Sequence, residues 1–149
     1  MVSQKGLYRS LKSMIDWTKQ WQDKLQDTDG WCPKAQLSPK QWAKEFCTIK
    51  FCLPRQSGHT TFAKKLIEET GRGALYVAPN VDILRFANVP PQHRATPGSI
   101  ARGNHKGMRI HTVIVDCTSL MSQKDIDGIY DAFSHQAVAE QHFLFVFLQ

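Results

Sequence analysis

The final apolar run of the chain constrains its fold more than any other feature. Residues 143–148 read Phe-Leu-Phe-Val-Phe-Leu, with no polar residue between them. A strand with one face in water alternates polar and apolar residues, whereas a strand that is covered on both faces is apolar throughout. The run therefore predicts a central strand with a layer of helices on each side.

Three shorter apolar runs alternate with helical patterns along the rest of the chain. They predict strands at residues 47–53, 74–78 and 110–115, with helices near 60–70 and 80–87 between them and a further helix capped by Ser122 before the final run. The order β-α-β-α-β-α-β is typical of an α/β fold with a mostly parallel sheet and helices on both faces. At 149 residues, the chain is expected to form one domain.

A helical lead precedes this alternation. Apolar and small side chains recur at alternating spacings of four and three over residues 3–27, at Leu7, Leu11, Met14, Thr18, Trp21 and Leu25. This face is expected to pack on the sheet, with a coiled coil as the alternative. Ser38 and Gln41 predict a capped short helix that ends near Phe46. We therefore divide the chain into a helical lead, residues 1–45, and an α/β core, residues 46–149.

Residues 51–61 carry the clearest functional pattern. They read Phe-Cys-Leu-Pro-Arg-Gln-Ser-Gly-His-Thr-Thr, which predicts a strand, a short loop and a helix that begins at the threonines. Backbone N–H groups in such a loop cradle a phosphate, and the motif GxxxxGK[ST] adds a lysine and a hydroxyl that meets Mg²⁺. Leu53 stands at the first glycine position and His59 at the lysine position. Asp116, after the strand at 110–115, suits the carboxylate that holds the same ion.

With these motifs the chain resembles the P-loop NTPase superfamily in its RecA-like branch, including viral DNA-packaging terminase large subunits and helicases. The similarity covers residues 46–149, and residues 113–116 resemble the Walker B strand. It implies ATP and Mg²⁺ as ligands, a metal site at Thr60 and Asp116, and a fourth strand between the P-loop and Walker B strands, with Gln149 at its tip. It also implies a nucleotide site formed by Arg55, Gln56, Ser57, Gly58, His59, Thr60 and Thr61.

Two departures from that family bear on activity. Cys117 stands where the family has a glutamate that polarises water, and the imidazole of His59 is mostly neutral at pH 7. The first hypothesis is a degenerate P-loop protein that binds a nucleotide or phosphate with little or no hydrolysis. The second is an interaction module that reuses a motor fold, binding nucleic acid or regulating a motor or replication protein. The third is an active ATPase with non-standard residues, in which Arg102 or Arg109 comes from a neighbouring subunit.

A basic segment follows the second strand. The formal net charge is +6, and no acidic residue lies between Asp82 and Asp116. We expect residues 88–107, rich in proline and glycine, to form a long loop that is disordered alone and ordered on a polyanion. The candidate nucleic-acid contacts are Arg94, Arg102, Lys106 and Arg109. A solvated basic loop without a ligand is the alternative.

Composition also bears on location. No apolar run approaches the ~20 residues that span a bilayer, so no membrane association is expected. The N-terminus lacks the apolar stretch of a signal peptide. The four cysteines show no C-x-x-C pairing and are expected to be reduced thiols. These features predict a cytoplasmic protein, in the host cytoplasm if the terminase likeness reflects a viral origin.

Overall fold

A five-stranded, wholly parallel sheet forms the centre of the molecule, which is known from a computed structural model that describes residues 4–26, 32–52 and 59–149. The strand order is β1-β5-β4-β2-β3, with strands β1 (Thr48–Phe51), β2 (Ala74–Val77), β3 (Arg94–Ala95), β4 (Thr112–Val115) and β5 (Leu144–Leu148). The parallel sheet and the interior place of the last strand are therefore confirmed, with strand limits within a few residues of those predicted.

The helices in the described ranges include those of the predicted alternation, together with two short ones, at residues 33–36 and 97–101, that were not predicted. Their bounds are α1 (Gln4–Gln26), α2 (Pro33–Gln36), α3 (Pro39–Phe46), α4 (His59–Thr70), α5 (Val81–Ala87), α6 (Pro97–Ala101) and α7 (Gln123–Ala139). The capping box of Ser38 and Gln41 is present at the start of α3, and the side chain of Asn80 accepts a hydrogen bond from the backbone of Ile83. Gly71, at φ +81°, directly follows the end of α4, as is common for a glycine after a helix.

Strand β5 separates two apolar layers. Leu144, Val146 and Leu148 lie in a cluster with residues of α1, α4 and α5. Phe145 and Phe147 lie in the opposite cluster, with residues of α3, α6 and α7. All five residues of the strand are buried. The unbroken apolar sequence is therefore explained by helices on both faces of the sheet.

The buried face of α1 differs from the predicted one. Tyr8, Leu11 and Ile15 are buried against the sheet, and Gln22 is buried further along. Met14 and Trp21 were expected to face inward but are 37% and 39% exposed. The buried positions keep the predicted average spacing, but Tyr8, Ile15 and Gln22 each lie one residue after a predicted position, so the buried stripe is rotated around the helix.

The segment at residues 88–107 is not the structureless loop that we predicted. It contains a 3₁₀ turn at Pro91–His93, strand β3 paired with β2, and helix α6, which starts at a capping box formed by Thr96 and Ser99. These elements are two to five residues long. Elements that short show no hydrophobic period, and the prediction depended on periodicity.

Gln22 joins the first helix to the core through three hydrogen bonds. Its side-chain amide donates to the carbonyls of Phe46, at 3.0 Å, and Phe143, at 2.8 Å. Its side-chain oxygen accepts from the Phe143 backbone N–H at 3.3 Å. Because Gln22 is only 1% exposed, water does not replace these contacts easily.

None of the helices in the described ranges has both the length and the apolar character required to cross a membrane. Even α1, the longest of them at 23 residues, carries charged side chains along its length.

Replacing Gln22 with leucine should destabilise the fold by about 2–4 kcal/mol, because the change leaves buried backbone groups without partners. Urea denaturation measures the change in the free energy of unfolding. Gln20→Leu, on the exposed side of the same helix, is the matched control and should change that free energy by less than about 0.5 kcal/mol. Equal effects of the two variants would contradict the role assigned to Gln22.

Candidate functional site at the carboxyl end of the sheet

The carboxyl ends of β1 and β4 lie on either side of β5. Phe51 pairs with Leu148, and Val115 pairs with Phe147, so the three strands end at one level. Asp116 comes directly after β4, and its backbone N–H donates to the carbonyl of Val77 in β2 at 2.9 Å. This bond extends the hydrogen-bond ladder between β4 and β2 by one residue. It thereby fixes the backbone position from which the Asp116 side chain projects.

The carboxylate of Asp116 is fully buried and accepts hydrogen bonds at both oxygens. The hydroxyl of Tyr76 donates to Oδ2 at 2.7 Å, and the hydroxyl of Thr60 approaches the same oxygen at 3.4 Å. The backbone N–H of Cys117 donates to Oδ1 at 2.8 Å. Since Asp116 is 0% exposed, the chain itself supplies the donors that water would otherwise provide.

Thr60 and Asp116 are the two residues that the sequence predicts as a metal pair, and the structure brings them together. Thr60 lies in the first turn of α4 and is half-buried, whereas Thr61 is exposed. The other predicted nucleotide contacts, Arg55, Gln56, Ser57 and Gly58, and the side chain of His59 lie outside the described residues. The part of the predicted site that the structure describes is therefore its hydroxyl and its carboxylate.

Tyr76 belongs to the same site but was not predicted from the sequence. It lies on β2, next to β4, and is 0% exposed. Burial, and then the neighbouring charge of Asp116, raise the pKa of the Tyr76 phenol well above its ordinary value. The phenol therefore stays protonated and acts as a hydrogen-bond donor. Tyr76 lies inside an apolar strand, and such a sequence context does not distinguish it from a tyrosine that only packs in the core. The sequence therefore contains no signal for its role.

Cys117 has a backbone conformation that is unusual for a residue other than glycine. Its φ is +53° and its ψ is 42°, in the left-handed region. Burial, followed by the charge of Asp116, raises the pKa of the thiol to about 11. The thiol is thus protonated at neutral pH, and it is a poor substitute for a carboxylate that accepts a proton from water.

A polar cleft of about 210 Å³ opens beside the same strand ends, on the α7 side of the sheet. Lys44, Lys50, Thr118, Gln123, Tyr130 and Gln149 are among its lining residues. Lys44 also forms an ion pair with Asp127 at 3.2 Å. Sequence reasoning identified only Gln149 here, because the two lysines lie in a helix and a strand without a motif.

The four basic residues proposed for nucleic-acid contact do not all line the same cleft. Arg94 and Arg102 line a single open cleft of about 510 Å³ together with His105. Lys106 lines a different cavity, beside α7. Arg109 forms a two-pronged ion pair with Glu140, at 2.8 and 3.3 Å. Arg94 and Arg102 are therefore the pair that the structure places at one potential anion site.

The magnesium ion implied by the P-loop resemblance does not fit this arrangement well. Within the described ranges, no three His, Cys, Asp or Glu side chains group as metal ligands, although Mg²⁺ can bind through one carboxylate, waters and phosphate oxygens. Asp116 is the only carboxylate of the predicted pair, and three donors occupy its oxygens. Oδ2 accepts two of these donors and Oδ1 one, so direct coordination at Oδ2 would displace a donor in the buried site.

No protein-family model, curated protein or solved structure matches the chain. Proposals about its function therefore depend on the contacts of its own residues. The contacts at Asp116 join two strands and a helix that are distant in sequence, and they supply the central observation.

Cys117 should react slowly with iodoacetamide at neutral pH, because its pKa of about 11 leaves only about one thiol in 10⁴ ionised. Its labelling rate should rise about tenfold for each pH unit up to that pKa. Asp116→Asn should raise the rate at neutral pH, since it removes one of the causes of the shift. Peptide mass spectrometry measures the rates, with exposed Cys52 as an internal control. Labelling of Cys117 as fast as that of Cys52 at pH 7 would contradict this assignment.

Proposed function

We propose that the chain binds the phosphate groups of a nucleotide at the carboxyl end of its sheet, with little or no hydrolysis. The observation that carries the proposal is the contact of Thr60 Oγ1 with Asp116 Oδ2 at 3.4 Å. The two residues are 56 positions apart, and each follows a different parallel strand. A hydroxyl and a carboxylate at this place are the pair that a P-loop site requires.

The topology around this contact supports a ligand site. In open α/β sheets, ligands bind outside the carboxyl ends of the strands, where connections leave toward opposite faces. The helix after β1, α4, packs on one face of the sheet, and the helix after β4, α7, packs on the other. β5 lies between β1 and β4, so the crevice is located at the carboxyl end of β5. The positive end of the 12-residue helix α4 is directed there, which favours an anion.

The same geometry supports weak hydrolysis. A P-loop enzyme needs a group that orients and deprotonates the attacking water. The residue after Asp116 is Cys117, and its raised pKa keeps the thiol protonated at neutral pH. Both oxygens of Asp116 already accept hydrogen bonds from the chain. We therefore propose binding as the function and expect ATP turnover well below ~1 s⁻¹, the lower end of ordinary enzyme rates.

Thr60→Val should weaken binding of ATP by about tenfold or more, because it removes a hydroxyl from a site that holds charged groups. Isothermal titration calorimetry at low salt measures the affinity. Thr70→Val, at the other end of α4, keeps the same change of side chain away from the site and should bind ATP like the wild type. His59→Lys should strengthen binding by about 1–3 kcal/mol, since lysine carries a permanent charge.

Failure of the wild type to bind ATP, ADP or inorganic triphosphate would contradict the proposed function. Equal losses in the Thr60 and Thr70 variants would point to an effect on helix stability instead. Circular dichroism of each variant checks that the fold is retained.

A second function, binding of a polyanion such as nucleic acid, is favoured by the cleft that Arg94 and Arg102 share. No acidic residue is among those that line this cleft. Arg94 is half-buried and donates to the carbonyl of Val89 at 3.3 Å, which orients its guanidinium group. Arg102 is exposed beside it. Two arginines at one site are suited to phosphate oxygens of a nucleic-acid backbone.

Replacing Arg94 and Arg102 together with glutamine should weaken binding of labelled DNA and RNA, and it should reduce the salt slope by about two units. Fluorescence anisotropy at ~50 and ~200 mM salt measures both quantities. Arg109→Gln is the matched control, because Arg109 is paired with Glu140, and its effect should be small. Equal effects of the two changes, or no binding of either nucleic acid at the lower salt, would contradict this second function.

A further inference from the structure

The hydroxyl of Tyr76 is the closest side-chain partner of the Asp116 carboxylate. It donates to Oδ2 at 2.7 Å, compared with 3.4 Å for the hydroxyl of Thr60. Both Tyr76 and Asp116 are 0% exposed. A hydrogen bond to an ionised acceptor is short and strong, and its strength increases away from water. The charge of the aspartate is thus stabilised by a neutral donor from the neighbouring strand.

A divalent cation at Asp116 would have to compete with this donor. Mg²⁺ requires near-ideal octahedral geometry and gives up its waters reluctantly. Coordination at Oδ2 would displace the Tyr76 hydroxyl, which would then lack an acceptor in the core. Oδ1 accepts a hydrogen bond from the backbone N–H of Cys117. Cys117 is the second residue after the end of β4, and its backbone has a left-handed conformation. Oδ2, which already accepts two hydroxyl donors, is therefore not available to a cation without the loss of a buried hydrogen bond.

We infer that Tyr76 takes the place of a divalent cation in this site, so that nucleotide phosphates bind here independently of Mg²⁺. The inference rests on the proposed phosphate-binding function and makes Tyr76 a residue that determines cofactor specificity. Tyr76→Phe tests it, because phenylalanine keeps the aromatic ring in the core and removes only the hydroxyl. In that variant Oδ2 of Asp116 loses its strongest donor and becomes accessible to a cation.

The first measurement compares ATP affinity in Mg²⁺ and in EDTA by isothermal titration calorimetry. We expect the two affinities of the wild type to agree within about threefold, and those of Tyr76→Phe to differ by about tenfold or more in favour of Mg²⁺. Tyr8→Phe is the matched control. Tyr8 also donates to a carboxylate oxygen at 2.7 Å, that of Glu69, but at a different place in the molecule. It should behave like the wild type.

A tenfold gain in wild-type affinity with Mg²⁺ would overturn the inference and leave the proposed function intact. If the wild type binds ATP in neither condition, the proposed function fails, and a second measurement decides separately whether Tyr76 keeps a cation away from Asp116. Electron paramagnetic resonance of Mn²⁺ added to protein without nucleotide should show more bound ion for Tyr76→Phe than for the wild type. This gain should disappear in the double variant with Asp116→Asn. Equal Mn²⁺ binding by Tyr76→Phe and the wild type would overturn the inference.

Discussion

Burial of β5 on both faces is the constraint on which the rest of the structure depends. Its aliphatic side chains, Leu144, Val146 and Leu148, meet one helical layer, and Phe145 and Phe147 meet the other. The strand has no polar side chain to place in water, so both of its faces must be covered, and the backbone groups at its two edges need hydrogen-bond partners. β1 and β4 cover the edges, and the helices that follow them leave toward opposite faces. The crevice at the carboxyl end of the sheet is a consequence of this arrangement.

Asp116 places a charge at the boundary between that apolar core and the crevice. A buried carboxylate is tolerated only when donors compensate for its lost hydration. Here the donors come from three separate elements, Tyr76 on β2, Thr60 on α4 and the backbone after β4. The network therefore ties the start of α4 to the sheet. These hydrogen bonds also explain why a charged residue, Asp116, is tolerated at the fully buried end of β4.

Much of this fold could be predicted from the sequence, because its signals are local. The apolar strands, the capping box at Ser38 and the glycine after α4 each depend on neighbouring residues. The pairing of Thr60 with Asp116 was also predictable, since both follow strands in a recognisable pattern. The partnership with Tyr76 was not, because it depends on which strand lies beside β4. The ion pair of Arg109 with Glu140 joins residues 31 positions apart, so no local pattern reveals it.

The charge balance of the site links the buried carboxylate to the proposed phosphate ligand. A phosphate that binds near Thr60 approaches the negative charge of Asp116, and without a cation the chain itself must offset that repulsion. Hydrogen bonds from Tyr76 and the Cys117 backbone reduce the charge that the carboxylate presents to the crevice. Lys50, in the cleft beside the end of β5, supplies positive charge on the α7 side, whereas Lys44 in the same cleft is paired with Asp127. A site that binds phosphate without Mg²⁺ would thus use protein donors for the carboxylate and protein cations for the ligand.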